Sequence, residues 1–191
     1  MEKLLSFLRN IPEYAMLLKC IDASQSAAIT GVGQINRSHI ISALENDLDR
    51  PIVIICQDDM SANRLQEELQ AFCKKSIPVL PSRELALYDS SVVSRGWEQK
   101  RLRQFYNLIN GETKLQIISW DALCQRTMPP DILSQSVFTL DVGKEYQLNE
   151  ILQKLSQSGY SRCSMVEGPG QYAVRGGILD VFSPSAEFPY R

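Results

Sequence analysis

Two spacings of apolar residues alternate along this chain, and each dictates a different local structure. From Met1 to Cys20 the positions Leu4, Leu5, Leu8, Ile11, Ala15 and Leu18 follow a helical period with charges between them. That predicts an amphipathic helix, broken near Pro12. Ala27 to Thr30 predicts a strand, and after Gly31, Val32 and Gly33 the stretch Arg37 to Leu48 predicts a helix. Pro51 to Cys56 is a continuous apolar run, the pattern of a strand covered on both faces. Ser61 to Phe72 predicts a helix with Leu65, Leu69 and Phe72 along one side, and Ile77 to Leu80 a short strand. Pro81 to Val93 reads as irregular, and Ser94 to Ile109 as a helix. Asn110 and Gly111 close that helix, because glycine accepts the left-handed conformation that ends one. Leu115 to Ser119 is a further strand and Asp121 to Arg126 a short helix. Strands alternating with helices in this way predict a parallel α/β sheet.

The pattern changes near Met128, Pro129 and Pro130, which mark a domain boundary. The expected domains are 1–130 and 131–191. Beyond the boundary the chain predicts a strand at Val137 to Leu140 and a helix at Leu148 to Ser156. Closely spaced strands follow near Arg162 to Val166, Tyr172 to Arg175 and Ile178 to Phe182. Arg175, Gly176 and Gly177 form a good hairpin turn, since glycine accepts positive φ. This tail reads as a small α+β domain. Arg191 follows directly on a strand-like region, so the second domain is expected to be truncated at its C-terminal end.

Composition narrows the function classes. The 191 residues are 44% hydrophobic and 22% charged, ordinary for a soluble globular protein with apolar material enough for a core. A formal net charge of −2 argues against a broad basic nucleic-acid surface. The five cysteines (Cys20, Cys56, Cys73, Cys124 and Cys163) lack metal-ligand spacing, and His39 has no cysteine near it, so no structural zinc is expected. Reduced thiols fit a cytoplasmic protein. No apolar run reaches the length of a membrane span.

The sharpest chemical signal is the segment Thr30 to Ser38, between a predicted strand and a predicted helix. Free N–H groups at a helix start attract phosphate there. A working phosphate loop needs Gly, four residues, then Gly-Lys-Ser/Thr. Gly31 and Ser38 stand at the outer positions, but Asn36 replaces the second glycine and Arg37 the lysine. The Cβ of Asn36 crowds the approach of phosphate, and the broad guanidinium of Arg37 matches a compact ammonium poorly. Gly31, Gly33 and Asn36 also fall on the positions of a dinucleotide fingerprint whose third glycine is missing. Asp58 and Asp59 lie too early for a helicase-type acidic pair. Two readings stay open: a degenerate nucleotide loop, or a tight turn that binds nothing. No cofactor and no catalytic residue is expected.

Several stretches together resemble a known family. Pro81 to Asp89 (Pro-Ser-Arg-Glu-Leu-Ala-Leu-Tyr-Asp), the helix from Ser94 to Leu108 with Arg101 and Leu102, and the segment Ile117 to Leu123 occur in the order found in the bacterial transcription-repair coupling factor (Mfd). The most specific match is Gly170 to Phe182 (Gly-Gln-Tyr-Ala-Val-Arg-Gly-Gly-Ile-Leu-Asp-Val-Phe), a pattern shared by Mfd and UvrB. The ending Glu187 to Arg191 is similar to the Mfd form. The resemblance covers about Ala27 to Arg191 and points to the N-terminal, UvrB-like region of that family.

The resemblance implies that 1–130 is a UvrB-like domain 1a, a helicase-like α/β fold with a degenerate phosphate loop. It implies that 131–191 is domain 2, which in the family binds UvrA. The DNA-clamping hairpin of UvrB follows the Tyr-Asp motif. Here only Ser90 to Arg95 separate Tyr88 and Asp89 from the next helix, too few for that hairpin. Two family contacts to UvrA carry over by motif: Arg175, before the glycines, and Arg191, ending the Pro-Tyr-Arg stretch. A further aromatic contact of the family lies beyond Arg191. The function implied is a non-catalytic docking module that recruits UvrA to stalled RNA polymerase in nucleotide excision repair. RNA polymerase and DNA would be engaged through downstream domains of an ATP-dependent translocase. Competing readings are a nucleotide-hydrolysing helicase fragment using Gly31 to Ser38, and a UvrB-type binder of damaged DNA. From the residues alone, Arg175 has a plainer role open to it, bracing its hairpin by bonding a carbonyl or Asp180. Tyr172 and Phe182 read as core aromatics, and Lys100, Arg101 and Arg103 as a solvated helix face.

Overall fold

The computed structural model describes residues 6–72, 76–83 and 96–191. The chain folds as two compact units, one of residues 1–82 and 113–124, the other of 83–112 and 125–191. Predictions falling on 1–5, 73–75 and 84–95 lie outside the described residues. These include the start of the first helix, Cys73, most of the Pro81 to Asp89 motif and the short Ser90 to Arg95 connection.

In the first unit, residues 6–8 are helical and a second helix, α1 (Pro12–Asp22), begins with Pro12 at its first turn. A proline is tolerated there because its missing N–H has no intrahelical partner to lose. Helix α2 (Gln34–Asp47) follows, then strand β1 (Ile52–Cys56), helix α3 (Asp59–Gln70) and the short strand β2 (Val79–Leu80). The unit is completed by β3 (Leu115–Ser119) and the one-turn helix α5 (Trp120–Cys124). The sheet is parallel throughout, in the order β1-β3-β2. All five residues of β3 are buried, as a central strand with both faces covered requires. Ala62, Leu69, Ile77, Leu115 and Ile117 form the core, with Ile52, Ile54, Cys56 and Leu65 packed against them.

Two expectations fail in this unit. Ala27 to Thr30 is not a strand: it is irregular and exposed, with no ladder partner to hold it extended. The apolar run Ile52 to Cys56 is a strand, but at a sheet edge and covered on one face only. Val53 and Ile55 are each 53% exposed, while Ile52, Ile54 and Cys56 turn toward the core. The continuous apolar pattern had implied cover on both sides.

The second unit opens with α4 (Gly96–Ile109), ended at Asn110 and Gly111 as expected. Gly111 takes φ +70° and the Glu112 N–H bonds the Asn107 carbonyl, which satisfies a free acceptor at the helix end. Helix α6 (Pro130–Ser136), which the apolar pattern did not predict, packs on α4. Then come α7 (Leu148–Gln157), β4 (Ser161–Arg162), β5 (Gln171–Arg175) and β6 (Ile178–Phe182). β4 runs parallel to β5, and β5 pairs antiparallel with β6. The small mixed sheet accords with the expected α+β character. The strand expected at Val137 to Leu140 is absent, and the one expected at Arg162 to Val166 shrinks to two residues. Val137 and Leu140 are exposed, so their apolar spacing has no sheet to serve.

Helix α4 is fastened inside this unit by polar bonds. The Gln99 side chain donates to the Pro169 carbonyl at 3.0 Å, and the Arg103 guanidinium donates twice to the Ser185 carbonyl, at 2.9 and 2.6 Å. Arg101 is buried, with its guanidinium over the rings of Trp97 and Phe105 at 6.0 and 5.5 Å. Burial lowers its pKa from the usual arginine value. The expectation of a solvated face for Lys100, Arg101 and Arg103 is therefore corrected for the two arginines. They are committed to packing and to a loop carbonyl.

In the first unit, Asp47 at the end of α2 accepts hydrogen bonds from the Arg9 guanidinium and, at 3.0 Å, from the Tyr14 hydroxyl of α1. The Arg9 bonds hold the Asp47 carboxyl below its ordinary pKa, against the opposing effect of burial. Burial first, then the bond to Asp47, raises the Tyr14 pKa. As pH falls, the unfolded chain therefore takes up the Asp47 proton before the folded one does. The anchor is fully present above about pH 4 and is lost as pH drops through the depressed folded value. Asp47→Asn should lower the melting temperature at neutral pH. Its curve and that of the parent should converge as pH is taken below about 4. Melting followed by circular dichroism across that range checks it.

Candidate functional site

Two places gather the residues singled out from the sequence, one in each unit. In the first, Gly31 takes φ +73° and Gly33 is the extended residue that precedes α2. Asn36 and Arg37 sit in the first turn, both exposed, and their N–H groups already bond the Gly33 carbonyl at 3.1 Å each. Ser38 is fully buried, and its hydroxyl donates to Glu68 of α3 at 2.9 Å. The Gln34 amide donates to the other oxygen of the same carboxylate at 2.6 Å. An internal acid thus takes up the hydroxyl that a phosphate loop would turn toward phosphate and metal.

The strand that should carry this loop out of the sheet is missing, as described above. The loop instead borders an open cleft of about 510 Å³ lined by Arg37, Ile54, Cys56, Arg64, Leu65 and Glu68, among others. Arg64 pairs with Glu68 across one helical turn at 3.4 Å. Asp58, weighed above with Asp59 as an acidic pair, is the N-cap of α3. Its carboxylate accepts from the Ser61 N–H at 2.7 Å, and that bond lowers its pKa. The carboxyl of Asp59 accepts from the Ser82 hydroxyl. Among the described residues, no three His, Cys, Asp or Glu side chains are grouped to hold a metal.

The second place is the β5–β6 hairpin. Its two-residue connection, Gly176 and Gly177, places Arg175 opposite Ile178, and Gly176 takes φ +62°, a conformation that favours glycine. Side chains alternate across a strand, so Arg175 and Ala173 share a face with Ile178 and Asp180. Tyr172 lies on the other face and is buried, as expected of a core aromatic. The Arg175 guanidinium donates to the Ser164 carbonyl at 3.1 Å. The carbonyl-bracing role therefore exists.

Arg191 lies on this same face. Tyr190 pairs with Val181 through backbone bonds of 2.9 and 2.8 Å, and the next residue reaches back to Asp180. The Arg191 Nε and Nη2 groups donate to the two Asp180 oxygens at 2.7 and 3.1 Å. These bonds lower the Asp180 pKa and raise that of Arg191. The charge of Arg175 adds to the effect on Asp180. Arg175 and Arg191, sixteen residues apart in sequence, are thus brought to one surface around one acid. Asp180 is the functional candidate that motif reading missed, although its pairing register was legible. Nearby, Ile178, Phe188 and Tyr190 are exposed, giving the surroundings an aromatic and apolar share.

The loop between β4 and β5 is held by Gln171. Its side-chain carbonyl accepts from the N–H groups of Glu167 at 2.8 Å and Gly168 at 3.1 Å. Ser164, which receives Arg175, belongs to the same connection.

Comparison with known proteins finds relatives of the chain as a whole. Residues 138–191 match the family model described as the UvrB interaction domain. Over its whole length the chain is 25% identical to the transcription-repair-coupling factor of Bacillus subtilis, of which it covers 16%. It is 29% identical over 74% of its length to the Escherichia coli protein of the same name, covering 12% of that chain. The Myxococcus xanthus relative is 25% identical over 93% of this chain, which covers 16% of it. The chain therefore spans about one sixth or less of the curated relatives it matches. The resemblance read from the motifs stands: this sequence is similar to transcription-repair-coupling factors along most of its length.

Removing the Gln171 acceptor frees two N–H groups of the loop that positions the Arg175 brace. Gln171→Ala should speed amide exchange at Glu167 and Gly168 by about tenfold, the scale of one lost hydrogen bond. The amides of α3 in the other unit should be unaffected. Hydrogen exchange resolved by residue checks both.

Proposed function

We propose that this chain, a relative of the transcription-repair-coupling factors that carries a UvrB interaction domain match, is a docking module whose partner is UvrA. The observation that carries the reading is the pair of exposed guanidiniums, Arg175 and Arg191, presented together on one face of the β5–β6 sheet. Arginine is a frequent hot-spot residue at protein interfaces because its planar fork can take a carboxylate with two bonds. Ile178, on the same face, adds exposed apolar area beside the two guanidiniums.

In this reading residues 131–191 correspond to domain 2 of the family and residues 1–130 to a UvrB-like, helicase-derived domain 1a. The module does no chemistry itself. It brings repair proteins to an RNA polymerase stalled at damage, and the polymerase and DNA are engaged by other parts of the protein, a translocase driven by ATP. The diversion of Ser38 and Gln34 to Glu68, and the lack of a strand before Gly31, support a nucleotide loop that has lost its function. No described helix is long and apolar enough to cross a membrane; in this reading module and partner meet in the cytoplasm.

Two measurements test the proposal. Arg175→Ala should weaken binding of purified UvrA by on the order of tenfold or more in calorimetry, with the melting temperature little changed. Unaltered affinity would remove the docking role. ATP with magnesium at about a hundred times a micromolar Kd should raise the melting temperature if the loop binds nucleotide. The expected result is no shift, and a saturable one would restore the enzymatic reading.

A further inference from the structure

The two arginines of the docking face differ in how they are held, and the difference lies in Asp180. The Asp180 side chain is largely covered, 14% exposed, at the middle of β6. It stands opposite Ala173, whose small side chain is buried. Arg191 is 71% exposed and meets Asp180 through Nε and one Nη. That side-on geometry occupies one edge of the guanidinium. The remaining edge, made by the far Nη and the outer N–H of the near one, points away from the carboxylate and can take a second acceptor. The backbone on either side is fixed as well, since the Val181 and Tyr190 bonds set the position from which Arg191 reaches back. Arg175 is oriented separately, by the Ser164 carbonyl. The face therefore carries two positive groups and one negative group that is already satisfied, a surface suited to a partner carboxylate.

We propose that Asp180 is the positioning residue of the docking face: it holds the Arg191 guanidinium so that one edge is bound internally and the other is presented to a carboxylate of the partner. The inference deepens the docking reading above and rests on it. A free arginine would have to be ordered on binding, and Asp180 removes that cost beforehand. The alternative is competition, in which the partner must strip Arg191 from Asp180 and the acid opposes docking. The two differ in sign.

The test is a double-mutant cycle on the 191-residue chain, titrated with purified UvrA. Asp180→Ala should weaken binding about three- to tenfold, the scale of ordering one long side chain. Asp180→Asn, which keeps the shape and loses the charge, should weaken it in the same direction with an unchanged melting temperature. In an Arg191→Ala background the Asp180 substitutions should have no further effect, because there is no guanidinium left to position. Equal or tighter binding by Asp180→Asn overturns the inference, as do fully additive losses in the cycle or an Arg191→Ala chain that binds normally. Arg175→Ala is run alongside. If it weakens binding while the cycle is additive, the Asp180 inference alone falls; if it too is without effect, the docking reading fails with it.

Discussion

The register of β5 against β6 is the constraint from which the candidate site follows. A two-residue turn leaves the strands no freedom to slide, so Arg175 must face Ile178 and Ala173 must face Asp180. A slip of one residue would carry Asp180 to the face of Tyr172. Arg175 would then lose the acid that shares its face. One pair of glycines thus governs the placement of charges that are far apart in sequence. The Tyr190–Val181 bridge extends the same ladder by a single step and brings the last residue under the same control.

The first unit is organised around a different necessity. β3 is the strand with neighbours on both sides, and its buried run supplies the surface on which α3 packs. Nothing in that arrangement requires a strand at Ala27 to Thr30, and none is there. A nucleotide cradle is a strand, a turn and a helix acting together, since the strand aims the turn and the helix start offers its N–H groups. Here the helix start survives, but Glu68 has become the partner of its side chains. The glycines around it persist as a turn whose backbone still needs one positive φ, at Gly31.

Much of this was legible in the sequence because the signals were local. β3, β5, β6, α3 and α7 announced themselves by period, and the Gly176–Gly177 turn by its residues. Short apolar runs were the weak point. Val137 to Leu140 and Ala27 to Thr30 have strand-like composition, yet a strand exists only where another lends it hydrogen bonds, and local pattern does not reveal that neighbour. The run Ile52 to Cys56 gave the right element and the wrong cover, because strand order in a sheet is a tertiary fact. Arg101 shows a signal that was present and unused: Trp97, Arg101 and Phe105 recur every four residues, which stacks them along one side of α4. The acid at position 58 invited a ligand role when its place, directly before a helix, already accounted for it as a cap. Asp180 was quoted within a motif, but its pairing with Arg191 emerges only when the backbone turns back on itself.

β1 lies at the rim of its sheet, with apolar side chains on its uncovered face and, among the described residues, no ladder neighbour on its outer side. A strand of this kind is a template: its outward amides and carbonyls can recruit an extended segment from any chain that comes near. Pro51 before it and the acids Asp58 and Asp59 after it confine the sticky stretch to five residues, about 17 Å of backbone. The same short rim that closes this sheet economically is therefore the point at which copies of the chain, crowded together, would begin to aggregate.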